Sequence, residues 1–187
     1  MSSSGSGILR LAAREIVDGD RLKFQAKSCL NGSGGSARDM RFSPYDKFDD
    51  VFGRILPNRA VVSRKRGGIP TPTTVYTAPV SVRNPNGSHD VQLIFEPPND
   101  TRRTEGRVAL IHELGLDIPT STGKRLLFLL GQMDDGTAFV TTAREEDVPQ
   151  WHPDVAALLD KILLYQHGQR AANGYIDFVT GRSHARA

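Results

Sequence analysis

Residues 75–95 read Val75-Tyr76-Thr77-Ala78-Pro79-Val80-Ser81-Val82-Arg83-Asn84-Pro85-Asn86-Gly87-Ser88-His89-Asp90-Val91-Gln92-Leu93-Ile94-Phe95. The β-branched run over 75–82 predicts a strand. Asn84-Pro85-Asn86-Gly87 carries the Asn-Gly signal of a tight hairpin, because that turn needs left-handed backbone that Asn and Gly adopt cheaply. Residues 91–95 then form the return strand. A hairpin of this kind belongs to antiparallel β architecture, and the rest of the chain is read outward from it.

Downstream, the breaker cluster Pro97-Pro98-Asn99-Asp100 leads into Thr101-Arg102-Arg103-Thr104-Glu105-Gly106-Arg107-Val108. In an extended conformation alternate side chains share a face, so Arg103, Glu105 and Arg107 are expected in a row, spaced about 7 Å apart. Donor, acceptor and donor at that spacing suit base edges: an Arg fork matches guanine, and a Glu accepts from the cytosine amine. The same pattern also fits a solvated hairpin face with cross-strand ion pairs. Asp100, Glu105 and Arg107 loosely mimic the Asp…Glu-x-Lys of metal-dependent nucleases, but an arginine cannot give up its proton to activate water.

Further on, residues 126–130 predict a short apolar strand, Met133-Asp134-Asp135-Gly136 a turn, and 137–142 a return strand. Val155, Leu158, Leu159, Ile162 and Leu163 predict a helix over 151–166. Beyond Gly168 the pattern is lost, which reads as a tail or linker over 167–187. Upstream, Ile8, Leu11, Ala12 and Ile16 recur at helical spacing over 8–16, and Asp18-Gly19-Asp20 reads as the stop. Residues 21–30 alternate and predict a half-buried strand. Asn31-Gly32-Ser33-Gly34-Gly35-Ser36 is a glycine-rich loop without the Lys-Ser/Thr ending of a phosphate-binding loop. It leads into Ala37-Arg38-Asp39-Met40-Arg41. Phe48, Val51, Phe52 and Ile55 predict a helix within 44–57, closed by Pro57. Arg59, Arg64, Lys65 and Arg66 form a basic run ending at Gly67-Gly68.

The chain has 187 residues, 38% hydrophobic and 24% charged, with net charge +3. That length suits one domain with a real core, and the mild positive balance permits nucleic-acid binding without demanding it. The single Cys29 excludes an internal disulfide and a cysteine-based zinc site and points to a reducing, cytoplasmic compartment. No transmembrane run or signal core is present, and the histidines lack metal-ligand spacing. No cofactor or metal is expected. Residues 1–7 read as a flexible leader and 8–166 as one mainly β, barrel-like domain with flanking helices.

The order of features is similar to the N-terminal effector domain of EcoRII-type restriction endonucleases, the group that includes UbaLAI-like enzymes. The resemblance rests on Gly34-Gly35 with Pro44 after it, on the helix ending at Leu56-Pro57, and on Arg103-Thr104-Glu105-Gly106-Arg107-Val108. It spans roughly residues 10–145 and is dilute outside those two arms. It implies a prokaryotic protein with a B3-like, seven-stranded pseudobarrel that clamps the major groove of double-stranded CC(A/T)GG with two arms and carries no nuclease chemistry of its own. Arg103, Glu105 and Arg107 match the second arm residue by residue. Where the family's first arm offers a histidine and a tyrosine, this chain has Ser36, Arg38, Asp39 and Arg41.

The expected function is sequence-specific DNA binding by a monomer, as the recognition domain of a restriction endonuclease, with a C-terminal nuclease domain of the full-length protein as a candidate partner. Arg103, Glu105, Arg107, Ser36, Arg38, Asp39 and Arg41 would contact bases. Arg64, Lys65, Arg66, Arg102 and Thr104 would hold phosphates. A metal-dependent nuclease using Asp100 and Glu105, and a protein-interaction module, are the competing readings.

Overall fold

The computed structural model describes residues 7–25, 39–66, 69–99, 103–109, 111–119, 123–165 and 171–186, with backbone only for 25 and 64–66. Among them the protein is mainly β, 48% strand, and its sheet curls into an open half-barrel with a few helices. Ten strands build one sheet: β1 (Ile8–Glu15), β2 (Met40–Phe42), β3 (Asn58–Arg66), β4 (Ile69–Asn84), β5 (Gly87–Glu96), β6 (Gly106–Val108), β7 (Leu126–Met133), β8 (Ala138–Arg144), β9 (Asn173–Asp177) and β10 (Arg182–Arg186). Their order is β10-β9-β1-β7-β8-β4-β5-β6-β2, with β3 paired to β4 off this path. Every pairing is antiparallel except β4 with β8, which is parallel. The α-helices are α1 (Asp18–Gln25), α2 (Asp49–Ile55) and α3 (Pro153–Leu164).

At its centre, along β1 and β7, the sheet is buried on both faces. β7 sends Leu126, Phe128 and Leu130 into a larger aromatic core and Leu127 and Leu129 into a second one. A strand covered on both sides has no polar face, which is why 126–130 is continuously apolar. The larger core gathers Phe42, Phe48, Phe52, Phe95 and Phe128 with α2, and the second packs under α3 through Val155, Leu158, Leu159 and Ile162.

Two expected elements change type. Residues 8–15 are a central strand rather than a helix. The helical spacing of Ile8, Leu11, Ala12 and Ile16 arises because Leu11 and Ala13 serve one core, Ala12 and Ile16 the other, and arginines fill the gaps. Arg10 and Arg14 are 7% and 8% exposed, bonded to Asp177 at 3.2 Å and Asp20 at 2.8 Å. Of the strand expected over 21–30, residues 21–25 belong to α1 and 26–30 lie outside the described residues; Asp18 and Asp20 lie in the first turn of that helix, where carboxylates are favoured. The alternation there misled, since Leu22 is 62% exposed while Arg21 is 2% exposed and donates to the Lys124 carbonyl.

A third correction concerns the end of the chain. The stretch expected as a tail contains β9 and β10, and β9 pairs along β1 from Arg10↔Asp177 to Arg14↔Asn173. Asp177 closes the intervening turn by accepting from the N–H groups of Val179 at 2.9 Å and Thr180 at 3.2 Å. Burial pushes its carboxyl up, but those bonds and Arg10 outweigh it and hold it below the usual aspartate range.

β4 continues seven residues before Tyr76, the first position at which it pairs with β5. Over that length it pairs with β3, from Ile69↔Arg66 to Val75↔Ala60, forming a two-stranded ribbon. Three prolines fit this layout. A strand turns alternate N–H groups to alternate edges. The two-residue loop at 85–86 makes Asn84 and every second residue before it face β5, so Pro70 and Pro72 fall on that same edge where β5 is no longer present. Pro79 faces the other edge, in the gap between Thr77, the last partner of β3, and Val80, the first partner of β8. Each proline sits where no ladder bond is owed.

Candidate nucleic-acid interface

The two stretches singled out in the sequence meet on one side of the sheet. β2 pairs with β6 with Arg41 opposite Arg107, and β6 pairs with β5 with Arg107 opposite Glu96. Cross-strand partners share a face, so Arg41, Arg107 and Glu96 form one row.

Two arginines opposite each other repel unless carboxylates intervene. Arg107 donates to Glu96 through Nε at 2.9 Å and Nη2 at 2.6 Å, and through Nη1 to Asp39. Glu96 is 2% exposed, so this pair is braced from beneath. Arg41 donates from Nη1 to Glu105 at 3.3 Å, with side chains 45% and 33% exposed. Three of the five Arg107 donors are therefore engaged, while Arg41 and Glu105 stay open to solvent.

The expected row of Arg103, Glu105 and Arg107 is not fully formed. Only Gly106–Val108 is strand, and Arg103 and Thr104 lie exposed in a turn ahead of it. The Thr104 carbonyl accepts from the Tyr45 N–H at 3.0 Å, which ties the turn down outside the strand alternation. Gly106 permits that approach. It lies between Tyr45 and Phe95, whose rings stack 5.8 Å apart, and a Cβ there would fall 2.6 Å from Tyr45 Cδ2. The Tyr45 hydroxyl bonds to Asp49, which also accepts from Tyr76 at 3.2 Å. Burial, then those bonds, pushes the Tyr45 phenol far above its ordinary range, so it stays neutral.

Ser36, Arg38 and Arg102 lie outside the described residues, as does Asp100 of the nuclease alternative. Arg64, Lys65 and Arg66 sit in β3 opposite Thr71, Pro70 and Ile69. Among the described residues no group of three or more His, Cys, Asp or Glu side chains is placed to hold a metal, and no helix is long and apolar enough to cross a membrane.

Sequence reading missed Glu96, Tyr45 and Asp49. The signal for Glu96 was present: an acid ending an apolar strand just before Pro97. No family model matches the chain, and no curated protein is significantly similar to it.

Proposed function

We propose that the chain binds double-stranded DNA sequence-specifically, reading a short site from the β2–β6 side of a B3-like half-barrel. The observation that carries this reading is the pairing of Arg41 with Arg107 across two strands, with an open Arg41–Glu105 pair beside an Arg107 fixed by buried Glu96. Polar side chains held in place lose little entropy on binding, which suits selective recognition.

In this proposal Arg41 and Arg103 donate to guanines, and Glu105 accepts from cytosine or orients Arg41. Arg107 becomes the brace that orders them, with its remaining donors directed to the groove. Thr104 holds phosphate at the rim, the role the sequence assigns to Arg102 as well. The similarity of Arg103-Thr104-Glu105-Gly106-Arg107 to EcoRII-type effector domains supports the same reading, with CC(A/T)GG as the first target to try and a nuclease elsewhere in a longer protein.

Selection from a randomised duplex library is the test. The expected result is enrichment of one short G·C-rich site without Mg²⁺, with no strand scission when Mg²⁺ is added. A library that emerges without enrichment ends this proposal. Site-specific cuts lost in Glu105→Gln would replace it with the metal-dependent nuclease.

A further inference from the structure

The braced array is nearly neutral. Asp39, Glu96 and Glu105 offset Arg41 and Arg107, so the array can discriminate between bases yet supplies little of the electrostatic attraction that dominates DNA affinity. The missing charge lies elsewhere in the sequence. From Val51 to His89 there is no Asp or Glu, while Arg54, Arg59, Arg64, Lys65, Arg66 and Arg83 fall in that span. The whole chain carries only +3, so the remainder is net acidic.

Four of those six cations, Arg59, Arg64, Lys65 and Arg66, belong to β3, the strand that pairs with β4 in the ribbon. The ribbon's residues beyond Tyr76 extend about 20 Å at ~3.3 Å per residue. One ribbon face is exposed along Val61, Ser63, Pro72 and Thr74. Val61 at 70% and Ile69 at 69% exposure are among the most exposed large apolar side chains described. Pro70 and Pro72 block the β4 edge, so strand addition there is disfavoured. The root is fixed: Arg59 lies 3.5 Å over the Tyr76 ring, and the Tyr76 hydroxyl is tied to Asp49 at the start of α2.

Register sets the ribbon's position relative to the array. Tyr76 pairs with Phe95 and Phe95 with Val108, so β4 and β6 run parallel on either side of β5, and the ribbon extends past Tyr76 at the end of the sheet where β6 begins. Both leave the same end of the sheet on either side of β5, about 10 Å apart at two inter-strand spacings of ~4.8 Å.

We propose that the ribbon is a second, sequence-indifferent contact that lies along the phosphate backbone of the same duplex whose bases the β2–β6 array reads. This rests on the DNA-binding reading above. The ribbon supplies affinity and its salt dependence, and the array supplies selectivity.

The test is a fluorescence anisotropy titration of the full chain on a ~20-base-pair duplex carrying the selected site and on a scrambled one, between roughly 50 and 200 mM salt. The triple variant R64A/K65A/R66A should lose affinity by the same factor on both duplexes and flatten the log–log salt slope by roughly two to three, about 0.9 per phosphate contact. Thr73→Glu keeps every cation and adds a carboxylate to the ribbon face that lies on the same side of the sheet as Glu96 and Arg107; it should also weaken both duplexes equally. Arg103→Ala should weaken the selected duplex only. Unchanged affinity and salt slope in the triple variant and in Thr73→Glu, with selectivity intact, would overturn the ribbon's role and leave the DNA reading standing. A wild-type chain that binds neither duplex at low salt would remove both.

Discussion

Arg107 stands on Glu96, a carboxylate with almost no access to water, and that fixes what its removal does. Removing one side of a buried pair leaves the remaining charge less well compensated for its lost hydration, which costs more than the pair itself contributes. Arg107→Met should therefore lower folding stability by about 3 kcal/mol, the low end of the range because the arginine is itself partly solvated. Adding Glu96→Gln should recover much of the loss, since a neutral amide no longer needs the cation. Denaturant melts of the single and double variants check this. If Arg107→Met melts like the parent, the pair is ornamental and Arg107 returns to the set of free base readers. Arg41 and Arg103 are the cleaner probes of recognition, because neither is held by a buried acid among the described residues.

Among elements, β10 carries a histidine whose titration reports on the packing of the C-terminal hairpin. His184 packs against Phe48 and Tyr175 at ring-centroid distances of 6.3 and 6.2 Å, and its buried Nε2 has no partner among the described residues. Burial first, then the charges of Lys47 and Arg186, lowers its folded-state pKa, with Asp46 opposing them. A depressed histidine keeps its full contribution above the unfolded value, near 6.5, and loses it as pH falls through the folded one. The melting temperature should therefore fall between about pH 7.5 and 5.5, and His184→Asn should flatten part of that slope. A slope identical in the variant would show that β10 does not pack as described. The same element shows where sequence reading stopped. β9 and β10 are short and contain Asn173, Gly174, Arg182 and His184, so neither shows alternation; what makes β9 a strand is the β1 backbone about 160 residues away, which no local window contains, and β10 follows as the hairpin partner of β9. The hairpin at 84–87, α2 and α3 were legible because their turn and spacing signals are local. The arm residues 41, 105 and 107 were legible as polar positions, but their partner Glu96 was not, because its burial depends on β2 and β6 folding over it.

For the molecule as a whole, the β2–β6 array and the β3–β4 ribbon differ in composition and leave one end of one sheet, and the sequence contains no internal repeat. On the DNA-binding proposal one chain would then hold one duplex, whereas dimeric readers use one element twice on half-sites about a helical turn (~34 Å) apart. Light scattering at saturating short duplex should give a mass of one chain per duplex, and a mass with two chains would contradict this arrangement. The topology has a further consequence, for synthesis. β1 leaves the ribosome long before its partners: Gln132 and Asp177, which bond Arg10 in the finished sheet, lie 122 and 167 residues further along. At ~5–20 residues per second, on the order of ten seconds pass with that central strand bare. An apolar strand waiting so long invites aggregation, and charges within it act as gatekeepers. Arg10 and Arg14, buried cations in the native sheet, are the two charges that interrupt the apolar run of that strand, the placement that gatekeeper residues take.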